Sequence, residues 1–417
     1  MNGLSSLTYN LAIRIYILAI HIISPFNKKA NQFVNGRKSI FHKIEQTLKP
    51  NERRIWFHCA SVGEFEQARP VIEGFRKLHP DFKIVLTFFS PSGFELRKDY
   101  SGADYIFYLP ADTKANAIRF INIINPELTV FVKYEFWKNY LEQLKKRNLK
   151  CILIAGIFRN DQFFFKWYGK SFQSVLTSFT KLLVQNQKSV ELLKSIGINQ
   201  CALVNDTRID RVIDISNSPT SFPLIKKFFG SQKVLVAGST WLADIHLLSK
   251  SYSWLMSQNI KLIVVPHEIS EKHISEINKK FANQTITESA LNEQNCTSSN
   301  ILIIDSVGKL SSVYAYANVA YVGGGFGKGI HNILEAAVYG IPVLFGPNHK
   351  KFNEATWLLE KKAAVEIKNA DELLKVLQFL FQNENAGELG EKGREIILAK
   401  SSGTIKTIEE IEKLIFG

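Results

Sequence analysis

Cysteine is scarce, with four residues in 417, at positions 59, 151, 201 and 296. No two are spaced as a metal knuckle, and they are too few and too scattered for a disulfide-stapled scaffold. Free thiols in a reducing compartment are the expectation. Metal-binding carboxylate or histidine clusters are also missing. Asp104, Asp112 and Asp161 stand isolated, so neither a metal nor a cofactor is expected. Charged residues make up 22% and hydrophobic residues 46%, which excludes a disordered chain, a collagen-like chain and a polytopic membrane protein. Acidic residues are short in the first half only. Residues 1–220 hold 31 Lys and Arg against 18 Asp and Glu, whereas residues 221–417 hold 21 against 20. The basic half should seek an anionic partner. That charge is spread along the half instead of lining one helix, and there is no nucleic-acid motif, so nucleic acid is not the expected partner.

One long apolar segment is present. Residues 4–24 read LSSLTYNLAIRIYILAIHIIS, interrupted by Asn10, Arg14 and His21, which fall near one stripe of a helix. A simple span needs roughly 20 mostly apolar residues. This segment is expected to associate with a membrane, either lying in the interface or crossing with Arg14 snorkelling; the alternative is a buried helix packed on the domain, followed by a solvated basic loop. Residues 1–50 carry seven basic residues and one acidic, a charge that favours anionic lipid on the cytoplasmic side. A cleaved signal peptide fits less well, because no Lys or Arg precedes the apolar stretch.

From residue 55 onward, apolar runs alternate with amphipathic stretches. Strands are expected at 55–60, 83–89, 104–109, 127–132, 150–155, 181–185 and 201–204. A Ser- and Pro-containing stretch over 211–232 reads as a linker. Further strands follow at 233–237, 261–265, 300–304, 319–323, 342–346 and 364–367, and two or three helices close the chain. Continuous apolar strands separated by helices indicate parallel sheets covered on both faces. The expected organisation is a membrane-associated helix at 1–25, a Rossmann-like domain at 26–215 and a second Rossmann-like domain at 216–417. Two doubly wound domains in tandem place a cleft at the carboxyl ends of their strands. The GT-B glycosyltransferases have this α/β layout, and so do periplasmic-binding-type modules.

Chemistry-bearing residues gather where strands end. The first strand runs into Ser61-Val62-Gly63-Glu64. A carboxylate at that helix start can accept a proton from an attacking hydroxyl, and it can equally serve the helix dipole. Glu66, two residues on, points elsewhere. Arg208, in Asp206-Thr207-Arg208-Ile209-Asp210, offers a fork suited to carboxylate or phosphate, or an ion pair with its acidic neighbours. Pro266-His267 ends a strand, and Gly308-Lys309-Leu310 starts a helix. The segment Gly323-Gly324-Gly325-Phe326-Gly327-Lys328-Gly329 precedes His331-Asn332-Ile333-Leu334-Glu335. Clustered glycines let backbone amides approach an anion, and Glu335 can accept hydrogen bonds from ribose hydroxyls. The loop is neither a Walker sequence nor a dinucleotide fingerprint.

These motifs, in this order and over nearly the whole chain, resemble the bacterial 3-deoxy-D-manno-octulosonic acid (Kdo) transferases. The set also includes Phe136-Trp137, Gly238-Ser239-Thr240 and Pro342-Val343-Leu344-Phe345-Gly346-Pro347. The resemblance implies a GT-B fold and an inverting transfer of Kdo from CMP-Kdo to a lipid A precursor (lipid IVA) in lipopolysaccharide biosynthesis. It implies an enzyme held by its N-terminal helix at the cytoplasmic face of the inner membrane, against anionic lipid. Glu64 matches the family's proton acceptor, and Arg208 its transition-state-stabilising basic residue. Pro266, His267, Gly308, Lys309, Leu310, Asn332, Ile333, Leu334 and Glu335 match its CMP-contacting stretches. At the position of a further acidic residue assigned to transition-state stabilisation this chain has Lys133, while Glu135 keeps the second acidic place. Asn205 stands where the family tends to have Gly. Other readings are a GT-B transferase using another nucleotide sugar, such as a UDP-sugar, and a non-catalytic nucleotide- or lipid-binding protein at the membrane.

Overall fold

Runs such as RIWFHC and KLIVVP are apolar without alternation, and they form strands buried on both faces. The computed structural model describes residues 3–417. It divides into two units. One holds the residues up to Asp210 together with Ser401–Gly417, and the other holds Arg211–Lys400.

The first unit contains β1 (Arg54–Cys59), β2 (Lys83–Phe88), β3 (Tyr105–Tyr108), β4 (Leu128–Val132), β5 (Lys150–Gly156), β6 (Lys181–Val184) and β7 (Cys201–Leu203). They form one parallel sheet in the order β3-β2-β1-β4-β5-β6-β7. Side chains of β1 feed two cores. Trp56 joins Phe120, Phe131 and Tyr140 on one face. Ile55, Phe57 and Cys59 join Phe65, Phe75 and Ile84 on the other. The second unit contains β8 (Val234–Thr240), β9 (Lys261–Pro266), β10 (Thr285–Thr287), β11 (Ile301–Ile303), β12 (Val319–Val322), β13 (Val343–Phe345) and β14 (Val365–Glu366). Its parallel order is β10-β11-β9-β8-β12-β13-β14. The strand order reverses between β1 and β4 in one unit, and between β8 and β12 in the other. Open sheets of this kind bind ligands at that reversal, outside the carboxyl ends of the strands.

All thirteen expected strands are present. The additional one, β10, is a half-buried Thr-Ile-Thr at a sheet edge, too short to show as an apolar run. The expected linker is largely helical, with helices at Thr207–Asn217 and Pro223–Phe229. The last helix, Gly403–Phe416, was assigned from sequence to the second domain but folds on the first unit. Its Ile408 and Ile411 enter the core around Phe75 and Leu128. The Asp210 carboxylate caps its start, accepting from the amides of Ser402 (2.6 Å) and Thr404 (2.5 Å).

Ahead of β1 lie three helices: α1 (Gly3–Ile23), α2 (Lys28–Gly36) and α3 (Ile40–Thr47). Within α1, the stretch Ser6–Ile23 is long and apolar enough to cross a membrane. A fourth helix, α4 (Val62–Leu78), follows β1 directly.

Candidate active site

The β1/β4 reversal brings two chain segments together in the first unit. After β1 comes α4, with Ser61 as its N-cap. The Ser61 hydroxyl accepts from the Gly63 amide at 3.2 Å and donates to Glu64 Oε2. This is the spacing of a capping box, but the carboxylate reaches the capping hydroxyl instead of the backbone. Glu64 is half-buried at the carboxyl edge of the sheet, with one oxygen fixed by Ser61. Glu66 instead pairs with Arg97 at 3.0 Å.

After β4 comes Lys133-Tyr134-Glu135-Phe136-Trp137. Glu135 Oε2 accepts from Trp137 Nε1 at 2.5 Å and lies 3.1 Å from His58 Nε2. His58 is fully buried on β1. Its Nδ1 lies 2.8 Å from Thr87 Oγ1, which also accepts from Trp56 Nε1. Trp137 Nε1 also points at His58 Nε2, at 3.1 Å. Burial first, then the charges of Glu64, Glu135 and Glu66, push the Cys59 thiol well above its ordinary value. Glu64 and Glu135 therefore bear on one end of β1. Sequence reasoning did not find the His58–Glu135–Trp137 triangle. Its members lie up to 79 residues apart, and only the quoted motif carried Trp137.

Arg208 does not project alone. It grips Asp206 from its side chain (Nη2 at 2.6 Å, Nε at 3.0 Å) and from its backbone amide (3.0 Å). Asp206 is 7% exposed. Burial pushes its carboxyl up, but Arg208 and then Lys133 outweigh that and hold it below the ordinary value. The basic residue at position 133 thus shares the field of the Asp206–Arg208 pair. Lys133 has a left-handed backbone (φ 62°), as does Ala155 at the end of β5 (φ 56°). Such strain in residues other than glycine concentrates at functional sites.

In the second unit the β8/β12 reversal gathers three rings. His267 and His331 stack with centroids 4.3 Å apart, and Trp241 lies 4.7 Å from His267. Trp241 Nε1 donates to His331 Nε2 at 3.1 Å, which assigns the His331 proton to Nδ1. Burial, and then His267, lower the His331 pKa from 6.5 to about 4. Burial also lowers that of His267. Both rings are therefore uncharged at neutral pH. A folded-state value below the unfolded one gives stability that is present above about pH 6.5 and lost as the pH falls toward 4. Thermal melts of the protein should lose midpoint across that window, and His331→Asn should flatten the loss. An unchanged slope in the variant would contradict the assignment. Trp241 and His331 were not among the sequence-derived donor residues, although both lie inside or next to quoted motifs.

Next to His331, Asn332 Nδ2 donates to Glu335 Oε1 (2.8 Å), and Ser311 donates to Glu335 Oε2 (2.7 Å). These partners fix the Glu335 carboxylate and leave each oxygen a further lone pair. The Asn332 Oδ1 is buried without a hydrogen-bond partner among the described residues, an acceptor of the sort a ligand donor satisfies. Ile333 and Leu334 are buried and act as packing. Pro266 ends β9, and the His267 amide donates to Thr240 O. Lys309 pairs with Glu288, which also accepts from Ser306 at 2.6 Å. Leu310 packs over Gly238, and Gly308 has φ 83°.

Six amides around the glycine loop have partners within the protein. Amides of Gly323, Gly327, Gly329, Ile330 and His331 donate to backbone carbonyls. The Gly324 amide donates to Asp244 Oδ2 at 3.0 Å. The helix that follows, Leu334–Ala337, has four residues. The glycines answer a packing need. A Cβ on Gly323 would lie 2.5 Å from Ser239 O, and one on Gly325 would lie 2.5 Å from Gly346 Cα. The loop after β12 meets the end of β8 and the loop after β13 at backbone contact.

Residues 35–211 match the family model of the 3-deoxy-D-manno-octulosonic-acid transferases (kdotransferase). A 3-deoxy-D-manno-octulosonic acid transferase of Aquifex aeolicus is 28% identical, over 84% of this chain and 93% of the relative. Those of Rickettsia felis (27%; 87% and 78%) and Haemophilus influenzae (26%; 87% and 87%) are similar. Among solved structures, a glycosyltransferase of Rickettsia africae superposes with a TM-score of 0.59 at 13% identity, over 88% of this chain and all of that one. A UDP-GlcNAc 2-epimerase of Neisseria meningitidis gives 0.60 at 12%, over 86% of this chain and all of that one. These neighbours fix the fold as GT-B.

Proposed function

From a chain whose residues 35–211 belong to the Kdo transferase family, and whose relatives over most of its length carry that name, we propose an inverting transfer of Kdo from CMP-Kdo to a lipid A precursor, lipid IVA. The observation that carries the reading is Glu64, held by Ser61 at the strand-order reversal of the first unit. Glu64 takes the proton of an acceptor hydroxyl as that oxygen attacks the anomeric carbon of Kdo. The bond from that carbon to the phosphate oxygen breaks, and CMP leaves with the electron pair. Arg208, preset by Asp206, offsets charge developing on the phosphate. The second unit would hold the nucleotide through His267, Lys309, Asn332 and Glu335, with its cytosine ring against the Trp241–His267–His331 stack. The excess of basic residues before position 221 suits a phosphorylated acceptor in an anionic membrane, and α1 would keep the enzyme at the cytoplasmic face.

Donor choice tests this reading against that of a UDP-sugar transferase. Calorimetry should show CMP binding at least tenfold tighter than UDP, and NMR of the product should show an anomeric configuration opposite to that of the donor. Preference for UDP, or retained configuration, would overturn it.

A further inference from the structure

The apolar helix α1 is attached to the first unit along its length. At one end, Tyr9 donates to Asp112 Oδ2 at 2.6 Å. Asn139 Nδ2 donates to Asn10 Oδ1 at 3.0 Å, and Lys138 Nζ to Ser6 Oγ at 2.9 Å. The Asp112 and Lys138 side chains are each 1% exposed. Asp112 is further held by the amides of Asn139 and Tyr140, and Lys138 by Glu142 at 2.8 Å. Midway, the Tyr16 ring meets Phe33 and Phe89, with centroids 6.2 and 6.4 Å away. Residues 6, 9, 10, 13, 17, 20 and 24 are the half-covered ones. Their spacing of three, four and seven marks a single face turned to the protein. The other face presents Leu7, Leu11, Ile15, Leu18 and Ile22, each 56–68% exposed, and it ends at Phe26, 91% exposed.

A helix that crosses a bilayer is surrounded by hydrocarbon on every side that no other spanning helix covers. Crossing would strip α1 from Asp112, Asn139 and Lys138 and carry Ser6, Tyr9 and Asn10 into lipid. We infer that α1 lies in the plane of an anionic phospholipid surface, with its Ser6, Tyr9 and Asn10 end latched to the first unit, Ile13, Ile17 and Ile20 on the same protein-facing side, and its exposed leucine–isoleucine face in the acyl boundary. The inference rests on the membrane reading above and gives it a geometry. Charge selects the lipid, since Arg14, Lys28, Lys29, Lys38 and Lys114 are exposed around the apolar face. Two grooves flank the helix. One, of about 750 Å³, has Ile17, Phe33, Ile40 and Phe41 with Lys38 and Arg119. The other, of about 830 Å³, has Leu7, Leu11 and Ile118 with Arg14 and Lys114. Apolar walls with cations beside them fit acyl chains under phosphate headgroups.

Depth measurements on the full chain test this. Cys201, the half-buried native thiol, is changed to Ser, and a nitrobenzoxadiazole label is placed on Leu7→Cys, Ile15→Cys or Ile22→Cys. Each protein is bound to vesicles of phosphatidylglycerol and phosphatidylethanolamine carrying lipids brominated at shallow or deep acyl positions. All three labels should be quenched most by the shallow bromines, and all three should be reduced by dithionite added outside. Deep quenching at position 15, with position 7 or 22 protected from dithionite, would show a crossing helix and overturn the inference while sparing the membrane reading. No quenching at any position would refute both.

Discussion

Glu64→Gln should lower kcat by about 10²–10⁴-fold, the range that a positioned general base supplies, and change CMP-Kdo affinity less than twofold. Glutamine keeps the shape of the side chain and can still accept from the Ser61 hydroxyl, so its position at the start of α4 survives. It cannot take the proton. Glu66→Gln is the matched control. That carboxylate is two residues on but is tied to Arg97, and its loss should leave kcat within about threefold, the scale of a part-exposed ion pair of at most ~1 kcal/mol. Comparable losses in both variants would remove the special role of Glu64. Loss of donor affinity in Glu64→Gln would assign it to ground-state binding.

Gly325→Ala should destabilise the protein by about 1–3 kcal/mol or more, as overpacking against a well-packed neighbour does, and should weaken CMP binding at least tenfold. The new Cβ would lie 2.5 Å from both the N and Cα of Gly346. Backbone on both sides leaves no flexible side chain to yield, so the loops after β12 and β13 must part, and His331 and Asn332 move with them. Gly327→Ala is the contrast. Its Cβ would meet nothing nearer than 3.7 Å, and its φ is not in the left-handed range. Stability should change by less than about 0.5 kcal/mol, the usual size for a surface site. If the glycines serve mainly to expose amides to phosphate, the two variants should cost affinity alike and leave stability equal. Different stabilities, with affinity following stability, mark packing as their role.

The strands were legible because burial on both faces writes itself as uninterrupted apolar sequence; thirteen such runs gave two doubly wound domains, and the family resemblance gave GT-B. Only β10, three half-buried residues at an edge, left no such mark. The placement of Gly403–Phe416 was illegible for another reason. What holds it, Asp210 at its start and the pocket around Phe75, lies some 190 residues or more away in the chain. In the candidate site, the strand-end motifs were visible because sharp turns at the carboxyl edge need Ser, Gly and Glu in a fixed order. The partners that orient them were not. His58 reads as one more residue of a buried strand until Glu135 and Thr87 are seen beside it. An ion pair of Arg208 with an acidic neighbour was one reading of the sequence, but that the partner is Asp206, buried and held at three points, emerges only from the fold. The glycine run was found, but its packing role was not legible, since loop crossing and anion cradling ask for the same residue. The charge change at Lys133 was plain in sequence, yet its effect on Asp206 emerges only from the fold.

Transfer itself is the most direct measurement. Purified protein in phosphatidylglycerol-containing vesicles would be given lipid IVA, CTP, Kdo and an enzyme that joins the last two to CMP-Kdo with release of pyrophosphate, and the lipid fraction read by mass spectrometry. The lipid should gain one or more Kdo units with wild-type protein and none with Glu64→Gln. An unchanged lipid mass with folded, CMP-binding wild-type protein would contradict Kdo transfer to this acceptor, and equal gains with both proteins would contradict Glu64 as its base.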